Sequence, residues 1–343
     1  QYGKTVSFKS DTAKNSNIVI IQIESMDSHI NNEKYKGEYI TPFLHSISEK
    51  GIYYPYVLAY HKSGGTSDCE FSILNSIEPL GNYPSIKIKN YDYPNSLAKP
   101  FKACSYSTMV FHGNKGSYYK RDAAFSKMGF DVFYDIDRMK LKENGWGAPD
   151  HEVFSFALER LQEQHGRPFF AHIITMSSHI PFKNTSGYYK NSRYDSIKDE
   201  TVKNYFTVMS YVDQSVKDFV LEVKSRFPGT YIMIFGDHSP GIQSKYYKQS
   251  SYMSGGDYFE FVPFIMLTPD DISYREEKYA ASFLDIAPTV LHAAGIDFTI
   301  KTDGINLAEP PDVLPKIPFK GKLYDREYLF TAINPVDKAA QLK

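Results

Sequence analysis

The sequence predicts an α/β fold, with a mostly parallel central sheet sandwiched between layers of helices. Short apolar segments of strand length alternate with segments of helical period along most of the 343 residues. The apolar segments are hydrophobic almost throughout, which is typical of strands that are buried on both faces. Neither an internal repeat nor a linker-like break separates them. We therefore expect a single domain over residues 1–343, with a core at about 15–300 and a small antiparallel subdomain at about 300–343.

Strands are predicted where an apolar run ends in polar or turn-forming residues. The predicted strands cover residues 17–23, 53–58, 107–111, 130–134, 168–175, 231–235 and 261–267. Helices are predicted where apolar residues recur every three or four positions between start and stop signals, such as the Thr-Pro start at Thr41 and the stop at Gly295. The predicted helices cover residues 41–51, 95–103, 121–128, 150–165, 200–226 and 282–294, with a further helix beginning at Thr66. Residues 1–16 are polar and are predicted to form a lead-in arm.

The composition excludes several classes of protein. The formal net charge is −1 and the pI is near 6.9, so we expect no nucleic-acid-binding surface. The longest apolar runs, such as residues 17–23, are far too short to span a bilayer. The chain starts at Gln1 rather than at Met, and we expect it to be an excised or processed part of a longer protein. Cys69 and Cys104 could form one disulfide or stay as free thiols, and free thiols are favoured.

Polar side chains follow four of the predicted strands. They are Glu24, His112, His179, Asp237 and His238. The carboxyl ends of parallel strands meet at one edge of a sheet, and open α/β proteins place their sites at that edge. If these four strands are parallel, we expect the five side chains to converge there.

A Gly-Gly turn precedes the helix that begins at Thr66. Thr66 is thereby presented at the first helical turn, where backbone N–H groups and the helix dipole favour an anion. Together with Glu24, Asp237 and His238, its hydroxyl would give a four-ligand site for Mn²⁺, Zn²⁺ or Mg²⁺. Such a cation would lower the pKa of the hydroxyl and make Thr66 a nucleophile toward a phosphoryl group.

Each of these residues also has an ordinary structural interpretation. Glu24 by itself is compatible with a helix-cap carboxylate, and Asp237 with a turn residue. His112 and His179 are compatible with structural histidines, which is the interpretation favoured for His172 inside its apolar strand. The placement of the whole set at or just past strand ends favours a site.

Five segments, in order along the chain, carry a resemblance to a known family. They are residues 17–25, 64–71, 111–122, 175–182 and 236–238. They resemble the extracellular catalytic domain of lipoteichoic acid synthases and related glycerophosphotransferases, in the alkaline phosphatase/sulfatase superfamily. The similarity spans about residues 15–300 and includes residues 282–295 followed by an Asp-Gly pair at 303–304. Each segment is weakly specific by itself, whereas the ordered set is highly specific.

The resemblance implies roles for the residues already singled out. Glu24, Thr66, Asp237 and His238 would bind one divalent metal, usually manganese in that family, with magnesium or zinc as alternatives. Thr66 would attack the phosphorus of phosphatidylglycerol, release diacylglycerol and hold glycerophosphate covalently. An acceptor hydroxyl would then take the glycerophosphate, supplied by a glycerophosphate polymer, a glycolipid or a cell-wall polysaccharide.

The resemblance also implies a pocket for the donor headgroup. His112, Arg121 and His179 match its residues, with Arg121 on the phosphate and His179 as a general acid or a stabiliser of the intermediate. The chain departs from the family pattern at Tyr119, where Trp is usual, and at Asn114, where Asp is often found. These departures bear on the headgroup and, more strongly, on the acceptor. The family further implies a membrane-anchored bacterial parent protein with its site outside the cell.

Other members of the superfamily offer alternatives. A sulfatase of this fold needs a Cys/Ser-x-Pro-x-Arg string, which neither Cys69 nor Cys104 begins, so that activity is disfavoured. Two-metal phosphatases and phosphodiesterases need further ligands that are not visible, and phosphoethanolamine transferases usually contain more cysteines. A hydrolase that passes glycerophosphate to water stays open. A non-catalytic binding domain is least favoured, because the predicted nucleophile and ligands are all present.

Overall fold

The computed structural model describes residues 3–9 and 15–333 of the chain. The strands are β1 (Lys4–Phe8), β2 (Asn17–Ile23), β3 (Lys34–Tyr35), β4 (Glu38–Tyr39), β5 (Ile52–Ala59), β6 (Ser107–His112), β7 (Val132–Tyr134), β8 (Phe169–Ile174), β9 (Thr230–Gly236), β10 (Ser251–Ser254), β11 (Asp257–Leu267), β12 (Tyr274–Arg275), β13 (Ala281–Ser282), β14 (Phe298–Thr302), β15 (Ile317–Phe319) and β16 (Lys322–Tyr324). The helices are α1 (Pro42–Ser48), α2 (Thr66–Asn75), α3 (Ala98–Ala103), α4 (Arg121–Met128), α5 (Ile136–Met139), α6 (Asp150–Gln162), α7 (Glu200–Arg226), α8 (Ile286–Ala293) and α9 (Arg326–Ile333).

One ten-stranded sheet runs through the described part of the chain. Its main path is β12-β5-β11-β9-β2-β8-β6-β7, with β10 paired to β11 and β13 paired to β5. From β9 to β7 every neighbouring pair is parallel. Strand β11 runs antiparallel to both β9 and β5. The prediction of a mostly parallel central sheet is confirmed, with one reversed strand inside it.

Helices cover both faces of the sheet, and β2 shows how the sequence builds the two cores. Ile18 and Ile20 pack on one face, in the core that includes side chains of α2, α3, α4 and α8. Val19, Ile21 and Ile23 pack on the other face, in the core that includes side chains of α1, α6 and α7. All five side chains are fully buried. Because both faces require an apolar side chain, this strand is hydrophobic at nearly every position.

Three predicted elements differ from the observed ones by more than three residues at an end or in type. The lead-in arm predicted over residues 1–16 contains β1, whose antiparallel pairing with β14 joins positions almost 300 residues apart and leaves no local signal in a polar sequence. The strand predicted over residues 261–267 begins at Asp257, because its first part forms a hairpin with β10. The helix predicted over residues 282–294 is preceded by β13 and a 3-10 turn, Phe283–Asp285, which Ser282 caps before α8 begins.

The C-terminal part contains small antiparallel sheets, as predicted. Strands β15 and β16 form one of them, and β14 pairs with β1 in another. Phe319 and Phe330 pack against Phe259 and Phe261 of β11, which ties this part to the main sheet. The extent of the predicted single domain stays a prediction, and residues 334–343 lie outside the described ranges.

Two further sequence expectations concern the whole chain. Cys69 is buried, Cys104 is exposed, and both are free thiols, which agrees with the favoured state. Across residues 3–9 and 15–333, no helix has both the length and the apolar character needed to cross a membrane.

Candidate active site

Four neighbouring strands of the sheet bring the predicted side chains to one edge. Strands β9, β2, β8 and β6 lie side by side and are parallel. The side chains at or just past their carboxyl ends are Glu24, His112, His179, Asp237 and His238. The four strands are therefore parallel, as the predicted convergence of the five side chains requires.

Three of these side chains form a compact cluster of ligand atoms. One ligand atom each from Glu24, Asp237 and His238 lies within 4.8 Å of the others. The Nε2 atom of His238 is 3.2 Å from Oε1 of Glu24 and 3.7 Å from Oδ1 of Asp237. The two carboxylates are buried, while the imidazole is partly exposed. Two carboxylates and an imidazole at this spacing form a donor set that suits a divalent cation.

Thr66 joins the cluster from the first residue of α2. Its hydroxyl Oγ1 donates a hydrogen bond to Oε2 of Glu24 at 2.8 Å and lies 3.5 Å from Nε2 of His238. The preceding Gly65 has a φ of 46°, in the left-handed region that favours glycine. The Asp68 carboxylate accepts hydrogen bonds from two N–H groups of this turn. The turn thus fixes the Thr66 hydroxyl against the cluster.

The electrostatics of the cluster fit the divalent metal predicted from the sequence. Burial and then the charge of Glu24 raise the pKa of Asp237 to about 7. Burial also acts to raise the pKa of Glu24, but the charge and hydrogen bond of His238 outweigh it and hold that pKa well below its usual range. Oδ2 of Asp237 is buried with no hydrogen-bond partner among the described residues. An orphaned carboxylate oxygen costs free energy, which a cation bound among these atoms would offset.

Neighbouring groups orient the ligand side chains. The Ser25 backbone N–H donates to Oδ1 of Asp237 at 2.8 Å, and the Ser25 hydroxyl donates to Oε1 of Glu24 at 2.8 Å. Nδ1 of His238 lies 2.8 Å from the Ser239 carbonyl oxygen. A carbonyl only accepts, so Nδ1 carries a proton, and Nε2, which faces Glu24, is the nitrogen that would bind a cation after losing its own proton. Such second partners hold metal ligands in a fixed orientation.

Arg121, the first residue of α4, is held by a buried ion pair with Glu70. Its Nε atom lies 3.0 Å from both carboxylate oxygens, and its Nη2 atom donates to Oε1 at 2.6 Å. The family resemblance implies a phosphate contact for Arg121 and does not reveal this partner. Glu70 follows Thr66 by one turn of α2, so the two side chains share a helix face. That spacing is the signal that would have revealed Glu70.

His112 ends β6 as a buried, neutral imidazole. Its Nδ1 lies 3.1 Å from the Ile174 carbonyl oxygen, which requires a proton on Nδ1 and leaves Nε2 as an acceptor. Burial and then the charge of Arg121 lower the pKa of His112 to about 3. A neutral acceptor of this kind suits the hydroxyl of a ligand rather than its phosphate.

The two positions that depart from the family pattern lie in different surroundings. Asn114 is buried, and its Oδ1 accepts the Lys115 backbone N–H at 2.7 Å, so half of its amide is used within its own turn. Tyr119 is half-buried, and its ring centroid lies 5.3 Å from the Arg121 guanidinium and 5.7 Å from the Lys87 ammonium. Tyr119 therefore stands next to the predicted phosphate-binding arginine.

His179 lies on the loop after β8, and a buried carboxylate anchors that loop. Asp150, at the start of α6, accepts the backbone N–H groups of Met176 and the residue after it. Nδ1 of His179 lies 2.7 Å from the Ile180 carbonyl oxygen, and its ring centroid is 4.8 Å from that of Trp146. Nε2 of His179 is thus the nitrogen left for a substrate.

The predicted ligands and nucleophile therefore meet at short distances, while the predicted pocket residues occupy the strand ends and loops at the same edge. Their functional roles stay predictions. Two residues of the site are not predicted from the sequence. They are Glu70, which holds Arg121, and Asp150, which holds the loop of His179. Neither residue follows a strand, so the strand-end pattern does not reveal them.

Comparison with known families decides where the chain belongs. The profile of the family described as Sulfatase matches residues 16–296. The chain belongs to the sulfatase family. Within that family, the sequence predicted a resemblance to lipoteichoic acid synthases, and the relatives of the chain confirm it.

Relatives of this sulfatase-family chain are named as lipoteichoic acid synthases. That of Staphylococcus saprophyticus is 32% identical over 302 residues, which cover 83% of this chain and 46% of that protein. Lipoteichoic acid synthase-like YvgJ of Bacillus subtilis is 27% identical over 311 residues, which cover 86% and 50%. The crystal structure of lipoteichoic acid synthase LtaP from Listeria monocytogenes matches with a TM-score of 0.77 and 26% identity, covering 88% of this chain and 76% of that one. The chain spans about half the length of the curated relatives it matches.

Proposed function

We propose that this chain is the catalytic part of a phosphatidylglycerol-dependent glycerophosphotransferase. The observation that carries the proposal is the hydroxyl of Thr66, held 2.8 Å from Glu24 at the first turn of a helix and beside the ligand cluster. The relatives named lipoteichoic acid synthase support glycerophosphate as the transferred group. Glu24, Thr66, Asp237 and His238 would hold one divalent metal, with manganese favoured over magnesium or zinc.

In the first step, Oγ1 of Thr66 attacks the phosphorus of phosphatidylglycerol, and the bond from phosphorus to the diacylglycerol oxygen breaks. The Thr66 proton leaves to solvent, and Glu24, which keeps its charge because its pKa is held low, orients the hydroxyl through their hydrogen bond. His179 gives a proton from Nε2 to the departing diacylglycerol oxygen. The backbone N–H groups at the start of α2 favour the negative phosphoryl oxygens. A divalent cation held by Glu24, Thr66, Asp237 and His238 would lower the pKa of the Thr66 hydroxyl and would neutralise charge on the phosphoryl group.

In the second step, an acceptor hydroxyl takes the glycerophosphate from Thr66. His179, now unprotonated, removes the acceptor proton as the acceptor oxygen attacks phosphorus. The bond to Oγ1 of Thr66 breaks, and that oxygen recovers its proton. The acceptor would be a glycerophosphate polymer, a glycolipid or a cell-wall polysaccharide, on the outer side of the membrane that anchors the bacterial parent protein.

The remaining pocket residues would receive the donor headgroup. Glu70 engages Nε and Nη2 of Arg121, which leaves Nη1 for a phosphate oxygen. His112 offers Nε2 as an acceptor for a glycerol hydroxyl. Tyr119 and Asn114 would border the glycerol, where the family's Trp and Asp are replaced.

Intact-protein mass spectrometry tests this proposal directly. The chain is incubated with Mn²⁺ and phosphatidylglycerol, and any adduct is located by peptide mapping. We expect a glycerophosphate adduct on Thr66, none in Thr66→Ala, and a weaker but detectable one in Thr66→Ser. Turnover that persists in Thr66→Ala, or an adduct on another side chain, would refute the nucleophile. Glycerophosphate released to water in the presence of an acceptor would instead indicate a hydrolase.

A further inference from the structure

Three large apolar side chains are exposed at the carboxyl edge of the sheet. Tyr118, Trp146 and Ile180 expose 48%, 42% and 54% of their surface. They lie on three loops, namely the loop after β6, the loop before α6 and the loop after β8. We call these three side chains the apolar rim. Exposed apolar groups that cluster on one face mark an interaction surface more often than scattered ones do.

Hydrogen bonds and ring contacts join these loops into one surface. The Ala148 backbone N–H donates to the Gly113 carbonyl oxygen at 2.8 Å, which links the loop before α6 to the loop after β6. The Trp146 backbone N–H donates to Oδ1 of Asn184 at 3.2 Å, which links it to the loop after β8. The Trp146 ring also packs on His179. Ordered contacts therefore hold the three loops that carry the rim against one another.

The apolar rim borders the proposed headgroup pocket. Trp146 contacts His179, and the Tyr118 ring centroid lies 4.6 Å from that of Tyr119. Ile180 directly follows His179, and its carbonyl oxygen accepts a hydrogen bond from Nδ1 of His179. An occupant of the rim would thus sit at the mouth of the pocket.

Exposed charges of both signs lie beside the rim, and the basic side chains are in excess. Lys115 and Lys120 flank Tyr118, Lys142 precedes Trp146, and all three are exposed. The lysine ion pairs found within residues 15–333 involve Lys102, Lys183, Lys203, Lys224 and Lys322. Over residues 115–122 and 137–146, five exposed basic side chains outnumber three exposed carboxylates, which are Asp122, Asp137 and Glu143. The flanking lysines therefore present positive charge to an approaching anionic surface.

We propose that the apolar rim docks on the surface of an anionic lipid bilayer. This inference rests on the proposed function, since it identifies how a lipid donor reaches the pocket: from the plane of a membrane rather than as a free molecule. Tyr and Trp rings sit favourably at the level of lipid headgroups, and lysines beside them are attracted to anionic lipid. The docked rim would place the mouth of the pocket at the headgroup layer, where His179 and Tyr119 meet the donor.

The single tryptophan of the chain gives the docking its own reporter, because Trp146 is the only Trp in the sequence. The chain is mixed, without metal or acceptor, with vesicles of equal parts phosphatidylglycerol and phosphatidylcholine that carry bromine-labelled acyl chains. We expect Trp146 emission to shift to shorter wavelength and to be quenched by bromine. We expect binding to weaken with added salt and to be at least tenfold weaker on vesicles of phosphatidylcholine alone.

Matched variants separate the rim from non-specific adsorption. Tyr118→Asp and Ile180→Asp are each expected to weaken vesicle binding about tenfold, since each removes a half-exposed apolar group and adds a negative charge. Leu221→Asp is the control, because Leu221 is 51% exposed near the end of α7, which leads to the opposite edge of the sheet at the start of β9. Unfolding curves check that all three variants fold.

Several results would overturn the docking. They are vesicle binding without quenching of Trp146, an equal loss in Leu221→Asp, and no binding at low salt. Docking and transfer can fail separately, because the vesicle assay needs neither metal nor acceptor. Docking with no transfer would refute only the proposed function. Transfer from a water-soluble short-chain donor without any docking would refute only this inference.

Discussion

The buried ion pair between Arg121 and Glu70 gives a sharp test of how the site is held. The two side chains are only 3% and 0% exposed, and three contacts join them. Glu70→Gln keeps the size of the side chain but leaves the buried guanidinium without a counter-ion. Breaking a buried pair from one side costs about 3–5 kcal/mol. We expect the free energy of unfolding to fall by about 3 kcal/mol, because the amide oxygen still accepts one of the hydrogen bonds.

Urea unfolding measures this loss, provided that the slope with denaturant is unchanged. Glu70→Gln combined with Arg121→Met should recover part of it, with a coupling energy of at least ~1.5 kcal/mol, since no unpaired charge then stays buried. The control is Glu222→Gln, which breaks an exposed pair with Arg226 and should cost less than about 0.5 kcal/mol. If Glu70→Gln cost no more than this control, or if the double variant were strictly additive, the argument from burial would be refuted.

Three further predictions concern the same edge of the sheet. Gly236→Ala should destabilise the chain by at least ~3 kcal/mol in urea unfolding, since its Cβ would clash with the Met26 carbonyl oxygen. Gly229→Ala meets nothing within 4 Å and should be neutral, and equal effects of the two substitutions would refute this. Burial lowers the pKa of His172 to about 3 in the native chain, so on acidification the unfolded chain protonates His172 before the native chain does. The free energy of unfolding therefore decreases as the pH falls below about 6.5. By about pH 4.5 this loss reaches ~2.7 kcal/mol and should be absent from His172→Asn; parallel pH profiles would contradict it. Mn²⁺ at about 100 times its Kd should stabilise the native chain by ~2.7 kcal/mol, and a chelator should reverse this gain. The gain should be absent from Asp237→Asn. An equal gain in the unsubstituted chain and in Asp237→Asn would exclude Asp237 as a ligand.

The fold was largely predictable because its central strands are short segments that are hydrophobic at nearly every position. β2 is apolar on both faces, and β9 and β8 are similarly hydrophobic, so their parallel arrangement follows from burial alone. The site could be anticipated for a related reason. Polar residues directly after such strands lie at the carboxyl edge of the sheet, and this placement does not depend on how the helices pack.

What the sequence did not reveal depends on pairing over long distances. β1 is polar and becomes a strand only because β14 supplies its hydrogen bonds. The Arg121–Glu70 pair joins two helices whose relative position no local pattern contains. The anchoring of the loop after β8 by Asp150 likewise requires α6 to be in place. These features arise from tertiary packing, whereas the strand ends arise from local hydrophobicity.

The central place of β2 has a consequence for the order of events during synthesis. β2 is made before both of its neighbours in the sheet, β8 and β9, which end at Ile174 and Gly236. Between the emergence of Ile23 and Gly236 a ribosome working at about 5–20 residues per second needs roughly 10–40 s. Until β8 emerges, both edges of this apolar strand are unpaired, and the edge that β9 covers stays unpaired until the end of that time. A chaperone that covers β2 during this interval would prevent its misassociation with other strands.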